Sequence, residues 1–231
     1  MSSTPNWLER SLYPLLVLTT AGMVGALWLI FLHAPEEKVM GAVQKLFYFH
    51  VPAAIMTYAA VAVLLIGSIA YLWTRDVRWD NLSIAATECG LFFCGMVLIT
   101  GPIWGRPAWG VWWTWEARLT TTLVLWILLA AAILVRSYAD NRELGARLAS
   151  VLGILAAIDI YIIRKAVEWF RGMHPTVFKP GAERDVDPAI GQAFGATSLV
   201  FILLFLLLLA VTYREAQLRD RAERLTQALG R

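Results

Sequence analysis

Two histidines and a run of tryptophans are the residues of this chain best suited to chemistry. His50 lies in Lys-Leu-Phe-Tyr-Phe-His-Val-Pro, His174 lies in Arg-Gly-Met-His-Pro, and five of the eleven tryptophans fall between positions 104 and 115. Histidine is a common axial ligand of haem iron, and neighbouring indole rings offer a broad apolar surface. The combination suits a large planar ligand with a polar edge, which is the description of a porphyrin.

The tryptophan-rich segment 104–118 is predicted to be an amphipathic interfacial segment on the outer face of a membrane. If it is helical, Trp109, Trp112, Trp113 and Glu116 fall at positions i, i+3, i+4 and i+7 of one face. Such a face would lie flat at the membrane boundary. A general aromatic belt is the alternative, but a belt would spread its tryptophans over many helix ends. The predicted ligand-binding residues of the segment are Trp104, Trp109, Trp112, Trp113, Trp115 and Glu116.

Charged and metal-binding partners for a porphyrin lie around this segment. Arg106 and Arg118 flank the tryptophans and would pair with propionates by charge-assisted hydrogen bonds, or else would contact lipid headgroups. His50 and His174 come from opposite sides of the segment in sequence, so they are predicted to bind the iron from its two faces. His33 lacks comparable aromatic flanks and is predicted to be an ordinary loop residue.

The composition predicts an all-α integral membrane protein. The chain is 59% apolar and 16% charged, whereas soluble domains have about a quarter charged residues. Its apolar runs are continuous, which favours helices over barrel strands. A bundle of six transmembrane helices is therefore predicted within a single membrane domain covering residues 1–231. The predicted helices are about 12–32, 51–72, 84–103, 119–135, 148–163 and 189–212, followed by a cytoplasmic tail at 213–231.

Other features restrict the function further. The net charge of +3 is too small to indicate nucleic-acid binding, and no phosphate-binding loop motif occurs. Cys89 and Cys94 are five residues apart, which suits helix packing better than thiol chemistry. Glu88 and Asp159 are either functional groups at membrane depth or interfacial residues. The i to i+4 pairs of the tail, Glu215 with Arg219 and Asp220 with Arg224, predict an exposed helix.

Helix parity places the candidate residues in one compartment. The loops after the first, third and fifth helices must face the same side, and these loops contain all three histidines and the tryptophan cluster. Slightly more than half of the twenty Lys and Arg residues would lie on the side of the termini, which favours cytoplasmic termini. A ligand site at the membrane surface, rather than between helices, would suit a carrier. A b-type cytochrome-like membrane electron carrier and a plain membrane scaffold are the alternatives.

The motifs resemble one known family. Lys45 to Ala54 and Gly101 to Thr120 are similar to the haem exporter protein C family (CcmC) of cytochrome c maturation, with its tryptophan-rich WWD domain. Val167-Glu-Trp-Phe followed by His174 resembles the family's second histidine region. The resemblance extends over nearly the whole chain and includes the six-helix layout. One position departs from the family's pattern, since Glu116 stands where the family usually has aspartate.

The resemblance implies a function without catalysis by this chain. Haem b, bound as the transported ligand, would be presented at the periplasmic face of the bacterial inner membrane to the haem chaperone CcmE. The ABC-type subunits CcmA and CcmB would supply any ATPase activity, and the small membrane protein CcmD would complete the complex. His50 and His174 would be the two external histidines. The haem-presenting loop would include Trp109, Trp112, Trp113, Trp115 and Arg118.

Overall fold

Six long helices make up most of the protein. The computed structural model describes residues 6–37, 40–170 and 187–229. Its α-helices are α1 Asn6–Trp28, α2 Phe47–Thr74, α3 Val77–Trp109, α4 Ala117–Tyr138, α5 Arg142–Phe170 and α6 Pro188–Leu229. Each belongs to a helical stretch long and apolar enough to cross a bilayer. The prediction of an all-α membrane protein with six transmembrane helices is confirmed.

The helices continue beyond the apolar runs that predicted them. Helix α5 begins at Arg142 rather than near residue 148, and α6 runs without a break from the membrane into the charged tail. Hydropathy detects only the portion that lies in hydrocarbon, whereas the backbone hydrogen-bond ladder continues into water wherever the local residues favour a helix. Both predicted ion pairs of the tail are present, Glu215 with Arg219 at 3.7 Å and Asp220 with Arg224 at 3.1 Å.

A two-residue connection joins α2 to α3. Arg75 ends α2 in the left-handed region, with φ of 58°, and its N–H donates to the Tyr71 carbonyl at 2.8 Å. Asp76 then caps α3, since its carboxylate accepts from the backbone N–H of Arg78 at 2.9 Å. The neighbouring guanidinium of Arg78 holds the pKa of Asp76 below its usual value. So short a turn makes α2 and α3 antiparallel neighbours.

Helices α2 and α3 occupy the centre of the bundle. Helices α4 and α5 pack on one side of them, α6 packs on the other, and α1 packs against α6. Small residues allow close crossings, because a Cβ at Gly67 would meet the Ser83 hydroxyl and one at Gly153 would meet the Ser68 hydroxyl, each at 2.6 Å. Van der Waals contact at small residues is a main attraction between helices in lipid. The central pair therefore has a defined position relative to its neighbours.

The start of α2 is held by packing against α1 and α6. Helix α1 ends in a π-helical turn, Leu29–His33, and a 3-10 turn, Ala42–Leu46, leads into α2. Ile30, Tyr48 and Ala193 are fully buried against one another there. This cluster fixes the first turns of α2, where His50 lies.

The opposite end of the bundle carries an ion-pair network. Asp80, 2% exposed, is paired with Arg136 of α4 and lies 3.6 Å from the Arg142 guanidinium of α5. Arg142 also donates to Asn81 at 3.1 Å and pairs with Asp220 of α6. The charged part of α6 thus packs against the bundle itself, and the network joins four helices.

Candidate functional site

His50 is a buried residue in the first turns of α2. Its side chain is packed between α2 and the end of α3, and the residue is 7% exposed. The imidazole Nδ1 lies 2.9 Å from the Thr100 hydroxyl, and the Trp104 ring centroid lies 5.6 Å from the imidazole centroid. Gly101 provides the space, because a Cβ there would lie 3.2 Å from His50 Cε1. One turn at the end of α3 therefore supports the imidazole.

A cavity of about 660 Å³, including its open mouth, lies beside His50. Trp109, Trp113 and Arg118 line it together with the histidine. The rest of the wall is largely apolar and comes from α2, α3, α4 and α5, with Val97, Leu98, Leu119, Leu125 and Ile163 among its residues. A mostly apolar cavity with a few converging polar groups is the usual form of a small-molecule site.

The position of this cavity corrects one prediction. The site was expected at the membrane surface rather than between helices. Instead His50 is buried, and the cavity extends between α2, α3 and α4 as far as Ile163 of α5. The difference arises because the apolar run predicted α2 to begin at residue 51, whereas it begins at Phe47. His50 is thereby one turn inside the helix instead of in a loop before it.

The predicted helical face of the tryptophan segment is also wrong. Helix α3 ends at Trp109, where Gly110 adopts a φ of 74° and its N–H donates to the Arg106 carbonyl at 2.8 Å. Glycine in this left-handed conformation is a common helix terminator. The next helix begins at Ala117. The connecting loop is therefore 110–116 rather than 104–118, and Trp109, Trp112, Trp113 and Glu116 share no helical face.

The five tryptophans have three different environments. Trp109 and Trp113 line the cavity, whereas Trp104 packs against His50 and Phe47. Trp112 and Trp115 are 52% and 76% exposed. Trp109 folds back over Gly105, where a Cβ would lie 2.5 Å from the indole ring. The structure thus brings three of the five predicted tryptophans to the histidine and directs two outward.

The two predicted arginines are separated. Arg118, in the first turn of α4, lines the cavity and also a second cleft, which Trp115 and Phe170 border. Its guanidinium forms no ion pair with any residue of the described ranges. Arg106 instead lies 4.3 Å above the Trp112 ring, on the outer surface. Arg118 is therefore the cation that the cavity offers to a carboxylate.

Glu116 occupies the residue position that caps α4. Its backbone is extended, and its side chain makes no capping hydrogen bond to the helix. Aspartate is a much better cap, because its shorter side chain reaches the free N–H groups of the first turn. Helix α4 therefore begins, close to Arg118, without a side-chain cap.

The remaining histidines differ from His50. His174 lies outside the described residues, although Phe170 before it borders the cleft beside Trp115. His33 is exposed and stacks on Trp28, with ring centroids 5.8 Å apart. It does not line the cavity. Of the two predicted iron ligands, only His50 lies among the residues that the structure describes.

Two acidic residues of the membrane-spanning segments have different surroundings. Asp159 is buried in α5, and its Oδ2 accepts no hydrogen bond from any described residue. Glu88 borders the cleft at the ion-paired end of the bundle. Cys89 and Cys94 are both buried free thiols. Neither carboxyl lines the His50 cavity.

Thr100 and Gly101 are site residues that sequence reasoning missed. Both contact His50 from the end of α3, one turn before Trp104. Their spacing from Trp104, three and four residues, is the only signal that would have placed them on its helical face. Nothing local in sequence links them to a histidine fifty residues earlier.

The chemistry of these residues suits a flat apolar ligand with carboxylates and a metal centre. The imidazole is a potential axial ligand, Arg118 is a potential carboxylate partner, and the remaining wall is largely apolar. The Trp113 Nε1 is buried and donates no hydrogen bond to a described residue. A buried donor without a partner costs about 1–3 kcal/mol, so an acceptor group of a ligand that reached Nε1 would be stabilised there.

Comparison with known proteins shows which protein family the chain resembles. The family model described as "Heme exporter protein C" matches residues 2–228. The Heme exporter protein C of Escherichia coli strain K12 is 35% identical over 185 residues, covering 78% of this chain and 73% of that protein. The Haemophilus influenzae protein of the same name is 31% identical over 220 residues, covering 92% and 86%. The Bradyrhizobium diazoefficiens protein is 32% identical over 194 residues, covering 83% and 73%.

Proposed function

The chain belongs to the haem exporter protein C family and has a role in haem handling for cytochrome c maturation, and from this premise we propose that it holds haem b in the His50 cavity and presents it at the periplasmic face of the plasma membrane. The receiver is the haem chaperone CcmE. The chain itself catalyses no reaction. Any ATP hydrolysis belongs to CcmA and CcmB, with CcmD as a further membrane partner.

The observation that carries the proposal is a buried imidazole facing a mostly apolar cavity that also contains a cation. His50 and Arg118 line the same space, although 68 positions separate them in sequence. An axial ligand, an apolar wall and a cation suit the iron, the macrocycle and the propionates of haem respectively. A cavity serving only lipid would need neither the imidazole nor the guanidinium.

Each candidate residue has a specific role in this proposal. His50 binds the iron, Arg118 pairs with a propionate, and Trp109 and Trp113 contact the macrocycle. His174, in the segment between α5 and α6, is the second iron ligand. Trp104 supports His50, whereas Trp112, Trp115, Glu116 and Arg106 form the outer rim, where the chaperone would receive the haem.

Electron transfer is the second candidate, and one observation favours it. A histidine buried between helices is the arrangement typical of b-type cytochromes, and His50 is buried in this way. A resident electron carrier would keep its haem, whereas a presenting protein must release it. Addition of apo-chaperone to the purified, haem-loaded protein separates the two, because transfer of the Soret absorbance to the chaperone is expected only for presentation.

Substitution of His50 tests the proposed site. We expect His50→Ala to weaken haem binding by more than about 100-fold, since loss of a partner that merely supports a metal ligand already costs 10–100-fold. The measurement is a haem titration of the purified protein followed by absorption spectroscopy. His33→Ala is the matched control, because that imidazole is exposed and lies outside the cavity.

The haem affinities of the histidine variants show which residues bind the iron. Wild-type affinity in His50→Ala would contradict the proposal for this cavity. A comparable loss in His174→Ala would support the second ligand, and retained affinity there would leave His50 as the sole protein ligand. Equal losses in His33→Ala and His50→Ala would indicate a general defect of the protein and count against a specific site.

A further inference from the structure

The Thr100 hydroxyl lies between two hydrogen-bond partners. Its oxygen is 2.6 Å from the Met96 carbonyl of the preceding turn and 2.9 Å from His50 Nδ1. A hydroxyl has one hydrogen to donate and lone pairs to accept. Because the carbonyl can only accept, the hydrogen of Thr100 is directed to Met96. Thr100 must therefore accept from the imidazole.

This direction determines which ring nitrogen of His50 carries the hydrogen. A neutral imidazole has one N–H and one lone pair. If Thr100 accepts, Nδ1 is the donor and Nε2 keeps the lone pair. The opposite tautomer would bring the Nδ1 lone pair against a hydroxyl oxygen that has no second hydrogen. The hydrogen bond thus leaves Nε2 as the nitrogen available to a metal.

Packing around His50 restricts rotation of its imidazole ring. His50 is 7% exposed, Trp104 packs against it with centroids 5.6 Å apart, and Gly101 lies directly beneath its Cε1 edge. A ring turned over would lose the Thr100 hydrogen bond. Its orientation and its tautomer are therefore coupled.

We propose that Thr100 is a positioning residue that holds His50 as the Nδ1–H tautomer with Nε2 directed to the ligand. The identity of that ligand, haem, rests on the proposed function. The tautomer does not, because it belongs to the protein without ligand. Ligand-binding histidines in metal sites commonly donate their other N–H to an acceptor, which fixes the ring and raises its basicity.

Three variants separate positioning from general stability. Thr100→Val removes the hydroxyl at nearly constant shape, and Thr100→Ser keeps it. Thr87→Val is the matched control, because Thr87 is also buried in α3 and donates to the carbonyl four residues earlier, Ser83, at 2.7 Å. It makes no contact with His50. Loss of a threonine hydroxyl from α3 is thus common to both valine variants.

The first measurement uses the ligand-free protein. Histidine labelled with nitrogen-15 gives signals that distinguish the two tautomers, and with three histidines in the chain His50→Ala assigns the relevant one. We expect the Nδ1–H form in the wild type, Thr100→Ser and Thr87→Val, and a shift towards the Nε2–H form in Thr100→Val. An Nε2–H wild type, or an unchanged signal in Thr100→Val, would overturn the proposal.

The second measurement is a haem titration of the same proteins. Thr100→Val is expected to bind haem about 10–100-fold more weakly, as for loss of other hydrogen-bond partners of metal ligands, with Thr100→Ser close to wild type. An affinity equal to wild type despite an altered tautomer would overturn the positioning role. A wild-type protein that binds no haem would overturn the proposed function, while the nitrogen-15 result would still decide the tautomer.

Discussion

At the scale of single residues, the site depends on small side chains as much as on the histidine and tryptophans. Gly101 lies beneath the His50 ring and Gly105 lies beneath Trp109. Both glycines are on the last turns of α3, where a larger side chain would separate the rings from the helix. The aromatic residues can therefore approach α3 closely, and this approach keeps the histidine buried beside the cavity.

Alanine at Gly101 is expected to weaken haem binding without loss of the fold. Its Cβ would lie 3.2 Å from His50 Cε1, so the imidazole must move by a few tenths of an ångström. We expect affinity to fall by about tenfold, near the lower end for disturbed ligand support. The check is a haem titration with circular dichroism for helix content.

Gly195→Ala is the control for this substitution. Gly195 lies in α6 with no atom within 4 Å of an added Cβ, and alanine favours helices over glycine by about 1 kcal/mol. Haem affinity is therefore expected to stay at the wild-type value there. A Gly101→Ala protein with unchanged affinity would show that His50 tolerates displacement.

At the scale of elements, helix ends decide which residues meet. Helix α3 stops at Trp109 because Gly110 adopts a left-handed backbone conformation. The turn that follows brings Trp113 back to the cavity and leaves Trp112 and Trp115 outside. A helix continued through residue 116 would have placed Trp109, Trp112 and Trp113 on one face.

The other ends of the helices are joined by the Asp80 network, and Asp80→Asn is expected to destabilise the protein. Asp80 is 2% exposed and paired with Arg136, whose side chain is 15% exposed. Removal of one member of a buried pair costs about 3–5 kcal/mol, because the remaining charge stays buried. Thermal or denaturant unfolding in detergent measures the loss.

Glu143→Gln is the comparison for Asp80. Glu143 pairs with Arg147 one turn away, and both side chains are about half exposed, so the cost should stay below about 1 kcal/mol. Equal losses of unfolding free energy in the two variants would mean that burial does not set the strength of the Asp80 network. Haem affinity of folded Asp80→Asn is expected to be unchanged, because His50 lies at the other end of the bundle.

At the scale of the whole molecule, six crossings put His50 and the loop 110–116 at one end and the Asp80 network at the other. Helices α2 and α4 begin at the end with the cavity, whereas α3 and α5 begin at the end with the ion pairs. The proposed orientation directs the cavity to the periplasm. Single introduced cysteines test this arrangement, because both native cysteines are buried.

Val111→Cys is expected to react with a membrane-impermeant maleimide in spheroplasts, and Asp140→Cys only after lysis. Both positions are exposed, one in the loop beside the cavity and one in the turn between α4 and α5. The wild-type chain provides the background. The reverse pattern would mean that the cavity faces the cytoplasm. Labelling of both positions in spheroplasts would contradict the placement of the loop and the turn at opposite ends of the bundle.

The amino-acid sequence by itself determined the class of the protein. Continuous apolar runs can satisfy their backbone in lipid only as helices, so six runs predict six helices. Parity then requires alternate loops to share a side, whatever the packing. The long motif from Gly101 to Thr120 indicated the family, which the comparisons confirm over residues 2–228.

Only the tertiary structure decided which of the predicted residues share a site. Composition and spacing grouped Trp109, Trp112 and Trp113 on one face, but the backbone of Gly110 separates Trp112 from the other two. Thr100 and His50 are fifty positions apart, and their hydrogen bond exists because α2 and α3 pack as antiparallel neighbours. Local pattern cannot specify such a contact, since it arises from the meeting of two helices.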